Sequence, residues 1–257
     1  MKPSAPKEAQ AFFSAVQFLT RLPTPAWTGW EDGRLDRAAP HFALVGGVVG
    51  AVCGGVLLLA GVAFAPPVAA LLALAIGMML TGALHEDGLA DFADGLGARD
   101  RGRMLAIMKD SRVGAFGVLA LIVVIGLKVA ALSSLSSLHG AAILIAAHGV
   151  SRAMLYPAIK SLDYARDEGE AKVAPISRAV VQGEWMRTLA FALLTLAPAA
   201  LLVPFAPFAL ALAALAALAT FRAMRARLGG WTGDALGAQQ QLTETAFLIG
   251  ASAWIST

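Results

Sequence analysis

Between His41 and Phe64 the chain runs for twenty-four residues without a carboxylate, a lysine or an arginine. Further apolar segments follow at about Pro67 to Leu84, Gly114 to Leu132, Ala141 to Ile159, Thr188 to Val203, Phe208 to Phe221 and Thr243 to Ile255. A helix rises about 1.5 Å per residue and a bilayer core is about 30 Å thick, so the longer segments cross unaided. The last two are short and need local thinning of the bilayer or burial against neighbours. Backbone amides in lipid must be satisfied within the segment, which for runs of this kind means helix. The expected fold is therefore an all-α, polytopic membrane bundle of about six to seven transmembrane helices, one domain over residues 1–257. Composition agrees: 58% of residues are hydrophobic, 14% are charged and the mean hydropathy is +0.71, against about a quarter charged in soluble domains.

Residues 8–22 read differently. Phe12, Phe13, Val16 and Leu19 recur at near-helical spacing and Pro23 and Pro25 end the stretch, which predicts an interfacial amphipathic helix lying on the lipid bilayer. Charge placement then orients the chain. Eighteen of the twenty basic residues lie before the first span, in Glu86 to Val113, in Lys160 to Arg187, and at Arg222, Arg225 and Arg227, whereas the intervening connectors carry none. By the positive-inside rule the N-terminus and the long loops are cytoplasmic, in a multi-pass protein of the cell inner membrane. The net charge of +3 is topology rather than a nucleic-acid footprint, so no nucleic-acid partner is expected. Cys53 is the single cysteine, which excludes a disulfide framework and a thiolate metal site.

The segment 85–113 breaks the apolar pattern. It opens with His85-Glu86-Asp87-Gly88-Leu89-Ala90-Asp91-Phe92-Ala93-Asp94-Gly95. At about 100° per residue, Asp87, Asp91 and Asp94 share one helical face. Acids so placed at the mouth of a hydrophobic segment are costly unless a cation sits among them. Hard carboxylate oxygens without clustered Cys or His select Mg²⁺, or Mn²⁺, over zinc. The expected metal ligands are Asp87, Asp91 and Asp94, with Glu86 ranked below them. A solvated interfacial loop is the plain alternative. The company of the acids argues against it: Gly88 and Gly95 allow close backbone approach to a ligand, and Arg99, Lys109 and Arg112 supply cations on the same side, a combination suited to pyrophosphate. A transporter or ion- or proton-coupled carrier is the competing class. It would call for acids buried in mid-span with partners on other spans, whereas the only charges expected inside spans are Lys128 and Arg152.

Two more polar constellations lie outside this tract. In Gly229-Gly230-Trp231-Thr232-Gly233-Asp234, Asp234 either caps the following helix or joins the acidic site, since both fall on one side of the membrane. Ser151-Arg152 lies within a span, so Arg152 should face the bundle interior and pair with phosphate or an Asp. Gly46, Gly50 and Gly54, spaced by four, suit close helix packing. His41, His85, His139 and His148 are scattered and read as structural.

These motifs, with Phe18-Leu19-Thr20-Arg21-Leu22-Pro23 and Met108-Lys109-Asp110-Ser111-Arg112-Val113-Gly114, resemble the cobalamin synthase family of adenosylcobinamide-GDP ribazoletransferases, in order from about residue 12 to 245. The resemblance implies a Mg²⁺-dependent membrane enzyme that joins adenosylcobinamide-GDP to α-ribazole or its 5′-phosphate and releases GMP. It implies that Lys109, Arg112 and Arg152 stabilise developing charge, with Asp110 a candidate general base, and that Ser151, Arg152, Gly233 and Asp234 contact substrate. Where many members of the family have an apolar residue before the first Asp, this chain has Glu86. A homo-oligomer, or a complex with other enzymes of the pathway, is left open.

Overall fold

In the computed structural model, which describes residues 7–29, 33–166, 176–177, 183–203 and 206–253, the regular elements are helical, with one isolated parallel bridge between Tyr164 and Trp231. The N-terminal helix α1 (Lys7–Leu19) buries Ala15, Val16 and Leu19. It stops where the Thr20 hydroxyl donates back to the Val16 carbonyl and Pro23 follows. A short helix α2 (Arg34–Ala38) leads into α3 (Phe42–Ala63), the first long apolar helix.

α3 packs along α8 (Ser137–Ala153), and the four-residue glycine spacing is the reason. A methyl group at Gly46 would collide with the His148 carbonyl, at Gly50 it would lie 2.5 Å from the Leu144 carbonyl, and at Gly54 3.0 Å from Ala141. The packing expectation for these glycines holds. α8 continues as α9 (Leu155–Ser161); α10 (Glu184–Leu202), α11 (Ala206–Ala223) and α7 (Ala115–Ser133) complete the apolar set. Among the described residues five helices are long and apolar enough to cross a membrane, six if a bent pair counts as one. Their outer faces leave Val62 88% and Leu201 84% exposed. Apolar belts of this extent are met by lipid rather than water, so this is a multi-pass membrane protein.

The bent pair places the acidic tract. α4 (Pro66–Thr81) starts on Pro66 and ends at Gly82, and α5 (Leu84–Leu96) leaves at 91° to it. Gly82 and Ala83 both take left-handed conformations, φ 67° and 56°. Gly82 has a second constraint, because a side chain there would strike the Arg21 guanidinium. The turn swings α5 across the end of the bundle, so α5 does not itself span.

The final helix differs from its expected form. α12 (Gly233–Ser252) begins ten residues before Thr243, and its first half buries Gln239, Gln240 and Gln241. Apolar patterning misses that half because its polar side chains are buried by pairing with one another and with other helices. Residues 254–255 of the expected segment lie outside the described residues. Arginines tie the loops at the α5 end: Arg101 donates to the Ala165 carbonyl (2.7 Å) and Arg227 to that of Ala98 (2.6 Å). The basic loops thus gather at one end of the bundle, as their charge required. α6 (Arg101–Ile107) lies among them, capped by the Asp100 carboxylate at Arg103.

Candidate active site

α5 and α12 meet without a side chain between them. A Cβ at Gly88 would lie 2.7 Å from the Asp234 carbonyl, and one at Gly237 3.2 Å from that of His85. Gly88, expected to admit a ligand, admits the start of α12 instead. Gly95 likewise takes the Met104 and Met108 side chains. The contact brings Asp234 beside the acidic face of α5.

Asp234 does not cap α12. The Thr232 hydroxyl does, accepting from the Ala235 amide at 3.1 Å, which leaves the Asp234 carboxylate to pair with Arg166 at 2.7 Å. Arg166 also reaches the Met108 carbonyl at 3.4 Å. Asp91, half-buried, has its carboxyl pushed up to about 7, first by burial and then by the carboxylates of Asp234 and Asp87; Arg166 pulls the other way and Asp94 adds a smaller push. Asp87, Asp91 and Asp234 therefore crowd together with Arg166 among them. Arg166 was missed in the sequence because the site gathers it from a loop remote from both motifs.

The other sequence candidates sit around this cluster rather than in it. Asp94 accepts from the amides of Gly114 (2.7 Å) and Gly117 (2.8 Å), closing the N-terminus of α7 from another helix. Its oxygens are committed to holding the 108–117 segment against α5. On that segment Asp110 and Arg112 form a forked pair at the surface, 2.6 Å at the shortest, with the Arg112 side chain 86% exposed. The hydrogen bonds from Arg112 hold the Asp110 carboxyl down at about 2. Lys109 is exposed beside them, and Gly233 is exposed at the first turn of α12.

Glu86, Ser151 and Arg152 belong to a second, deeper assembly. Glu244 of α12 receives Lys128 of α7 at 2.6 Å and lies 3.0 Å from His148 and 3.9 Å from Arg152, both of α8. Gln240 bonds to the Ser151 hydroxyl (3.0 Å), and Gln241 links Lys128 to Glu86, at 2.6 and 2.9 Å. All of these except Glu86 are buried. Glu244 is thus an acid in mid-bundle with partners on other helices, the arrangement that the sequence argument took to be missing. Its position inside the last apolar segment, opposite Lys128 and Arg152, was the available signal.

A cleft of about 280 Å³ opens beside the Asp cluster, lined by Asp87, Arg166, Gly233 and Asp234 on one part and by apolar and aromatic side chains on the rest. Among the described residues no three His, Cys, Asp or Glu are already set to hold a metal ion.

A helical membrane protein that presents crowded carboxylates, an arginine and an apolar cleft at one end of its bundle has the makings of a membrane-bound enzyme acting on an anionic substrate. Comparison with known proteins gives the particular kind: the cobalamin-5-phosphate synthase family matches residues 11–252, and the chain belongs to it. The adenosylcobinamide-GDP ribazoletransferase of Leptothrix cholodnii is 46% identical over 96% of this chain and 97% of its own length. Those of Ralstonia pickettii and Shewanella frigidimarina are 39% and 37% identical, over 96% and 93% of this chain and 97% and 92% of their own. No solved structure matches.

Proposed function

We propose that this protein transfers the cobinamide phosphate of adenosylcobinamide-GDP to α-ribazole or α-ribazole 5′-phosphate, yielding adenosylcobalamin or its 5′-phosphate and GMP, at the cytoplasmic face of the cell inner membrane. The observation that carries the reading is the crowding of Asp87, Asp91 and Asp234 around Arg166 at the rim of the cleft, in a chain whose relatives bear that enzyme name. The carrier alternative finds no support among those relatives.

The chemistry of Asp87, Asp91 and Asp234 would suit a Mg²⁺ ion. Burial first, and then the carboxylates of Asp234 and Asp87, push the Asp91 carboxyl up to about 7, and a cation among these hard oxygens would relieve that crowding. Asp87, Asp91 and Asp234 would hold it, with both oxygens of Asp94 engaged by backbone amides and Glu86 turned toward Gln241. Bound there, the metal would neutralise pyrophosphate oxygens.

The remaining work falls to the chain. In the transfer a ribose hydroxyl oxygen of α-ribazole bonds to the phosphorus carried by cobinamide, the bond from that phosphorus to the GMP oxygen breaks, and the hydroxyl proton leaves to a carboxylate of the cluster. Asp110 is ill suited to take it, being held ionised near 2 at the surface, because a base works best with a pKa near ambient pH. Arg166 stabilises charge on the phosphoryl oxygens, while Lys109 and Arg112 on the adjoining segment meet the leaving phosphate. Arg152, buried against His148 and Glu244, acts through the packing of α8 and α12.

GMP release by the purified protein, dependent on adenosylcobinamide-GDP, α-ribazole and Mg²⁺ together, tests the activity. Cysteines placed at 99–103 should resist an impermeant reagent applied from outside, and those at 134–137 should react; the reverse pattern overturns the orientation.

A further inference from the structure

The cleft has two unlike halves. One holds Asp87, Arg166 and Asp234; the other is walled by Leu19, Phe42, Leu155 and Leu236, with Tyr164 and Trp231 beside them as an edge-to-face aromatic pair 4.9 Å apart. At about 280 Å³ the cleft lies at the small end of the roughly 300–1,000 Å³ common for ligand pockets. It takes a fragment of a substrate, not a macrocycle. On the transferase reading, three heterocycles enter the reaction: guanine, adenine and the base of ribazole. Guanine and adenine carry several ring and amino donors and acceptors whose burial among leucines is unfavourable without partners. A benzimidazole joined to ribose is apolar over its faces and edges and keeps a single ring nitrogen with a free lone pair. The cleft wall matches this: outside its charged half it is apolar and aromatic, with the His85 imidazole and the Tyr164 hydroxyl as its few polar groups.

We infer that the apolar half of the cleft is the subsite for the base of ribazole, with the ribose projecting toward Asp87, Asp234 and Arg166. The inference rests on the transferase reading and deepens it. It makes Leu236 and Trp231 specificity-determining residues: one shapes the aliphatic wall, the other the aromatic wall. A base with a polar edge is disfavoured there because its hydrogen bonds to water are lost and few are returned.

The test uses the full chain in detergent with the two substrates varied separately. Leu236→Trp, which fills the cleft, should raise KM for α-ribazole at least tenfold and leave KM for adenosylcobinamide-GDP within twofold. Trp231→Phe should raise the first about fivefold with kcat nearly unchanged. Free dimethylbenzimidazole, tested on the unaltered protein so that nothing depends on a variant folding, should inhibit competitively against α-ribazole, and guanine should not. Competition by guanine, or a rise in KM confined to adenosylcobinamide-GDP, overturns the subsite assignment. Inhibition equal for dimethylbenzimidazole and for a simple acyl chain does the same, marking the cleft as a lipid groove. Absence of GMP release from the unaltered protein with all substrates present would instead overturn the transferase reading itself.

Discussion

Two charged clusters, both touched by α5 and α12, show opposite design. In the inner one, Glu244 is surrounded by Lys128, His148 and Arg152, every charge has a partner on another helix, and the space left among them is about 10 Å³. In the outer one, Asp87, Asp91 and Asp234 crowd together and Arg166 pairs with Asp234, beside a cleft of about 280 Å³. Compensated charge in the bundle interior fixes how helices sit against each other. Charge left less compensated at an open edge is what the proposed substrate and cation would meet. The comparison also bears on the carrier alternative: an acid in mid-bundle is present, but it is matched by cations on neighbouring helices.

The sharpest way to break this contrast is to remove Glu244. Glu244→Ala leaves Lys128 and Arg152 buried without a counter-ion, and losing one partner of such a pair costs about 3–5 kcal/mol. The expected result is a large fall in folded protein recovered from the membrane and in the melting temperature of what remains. Normal stability would show that the inner cluster is not what holds α7, α8 and α12 together.

Next in size, Asp91→Asn and Asp234→Asn should each reduce GMP release at least a hundredfold, since loss of a metal or phosphate contact removes several kcal/mol of charge stabilisation, while folded yield is unchanged. Near-normal turnover of Asp234→Asn at subsaturating Mg²⁺ would take Asp234 out of the site. Because Thr232 already caps α12, a loss of activity in this variant cannot be assigned to a lost cap.

A pH experiment sharpens the same point. The Asp91 carboxyl titrates at about 7, above its ordinary 3.8, so the folded protein without metal favours the proton. That contribution to stability is complete below about pH 4 and is lost as pH rises through 7. Mg²⁺ should therefore raise the melting temperature more at about pH 8 than at about pH 5.5, since at the lower pH it must displace a proton. Equal increments at both would separate Asp91 from the cation.

The smallest effect is expected at Asp110→Ala, an exposed pair partner whose loss should change turnover less than about threefold. A thousandfold loss would return Asp110 to the role of general base.

The limits of the sequence follow from these two clusters. The apolar segments, the glycine spacing of α3 and the shared acidic face were legible because each is periodic and local. The bend at Gly82 and Ala83 was not, since an alanine at φ 56° is set by what packs around it. The Gln239 to Gln241 run fell outside the apolar segments because burial of polar side chains depends on partners remote in sequence. Asp94 was readable as an acid of the right face, but only the fold shows that two α7 amides already claim it.

The seating of Asp234 on Gly88 has a bearing on biogenesis. The carboxylates of α5 leave the ribosome early, yet the partner that completes their cluster begins the last helix. During insertion, the growing chain carries acids at the membrane surface with neither the Arg166 pair nor the cleft wall in place. If the cluster is the transferase site proposed above, a chain lacking α12 could settle much of its bundle into the bilayer and still be catalytically silent. Activity would then report that synthesis had reached that helix.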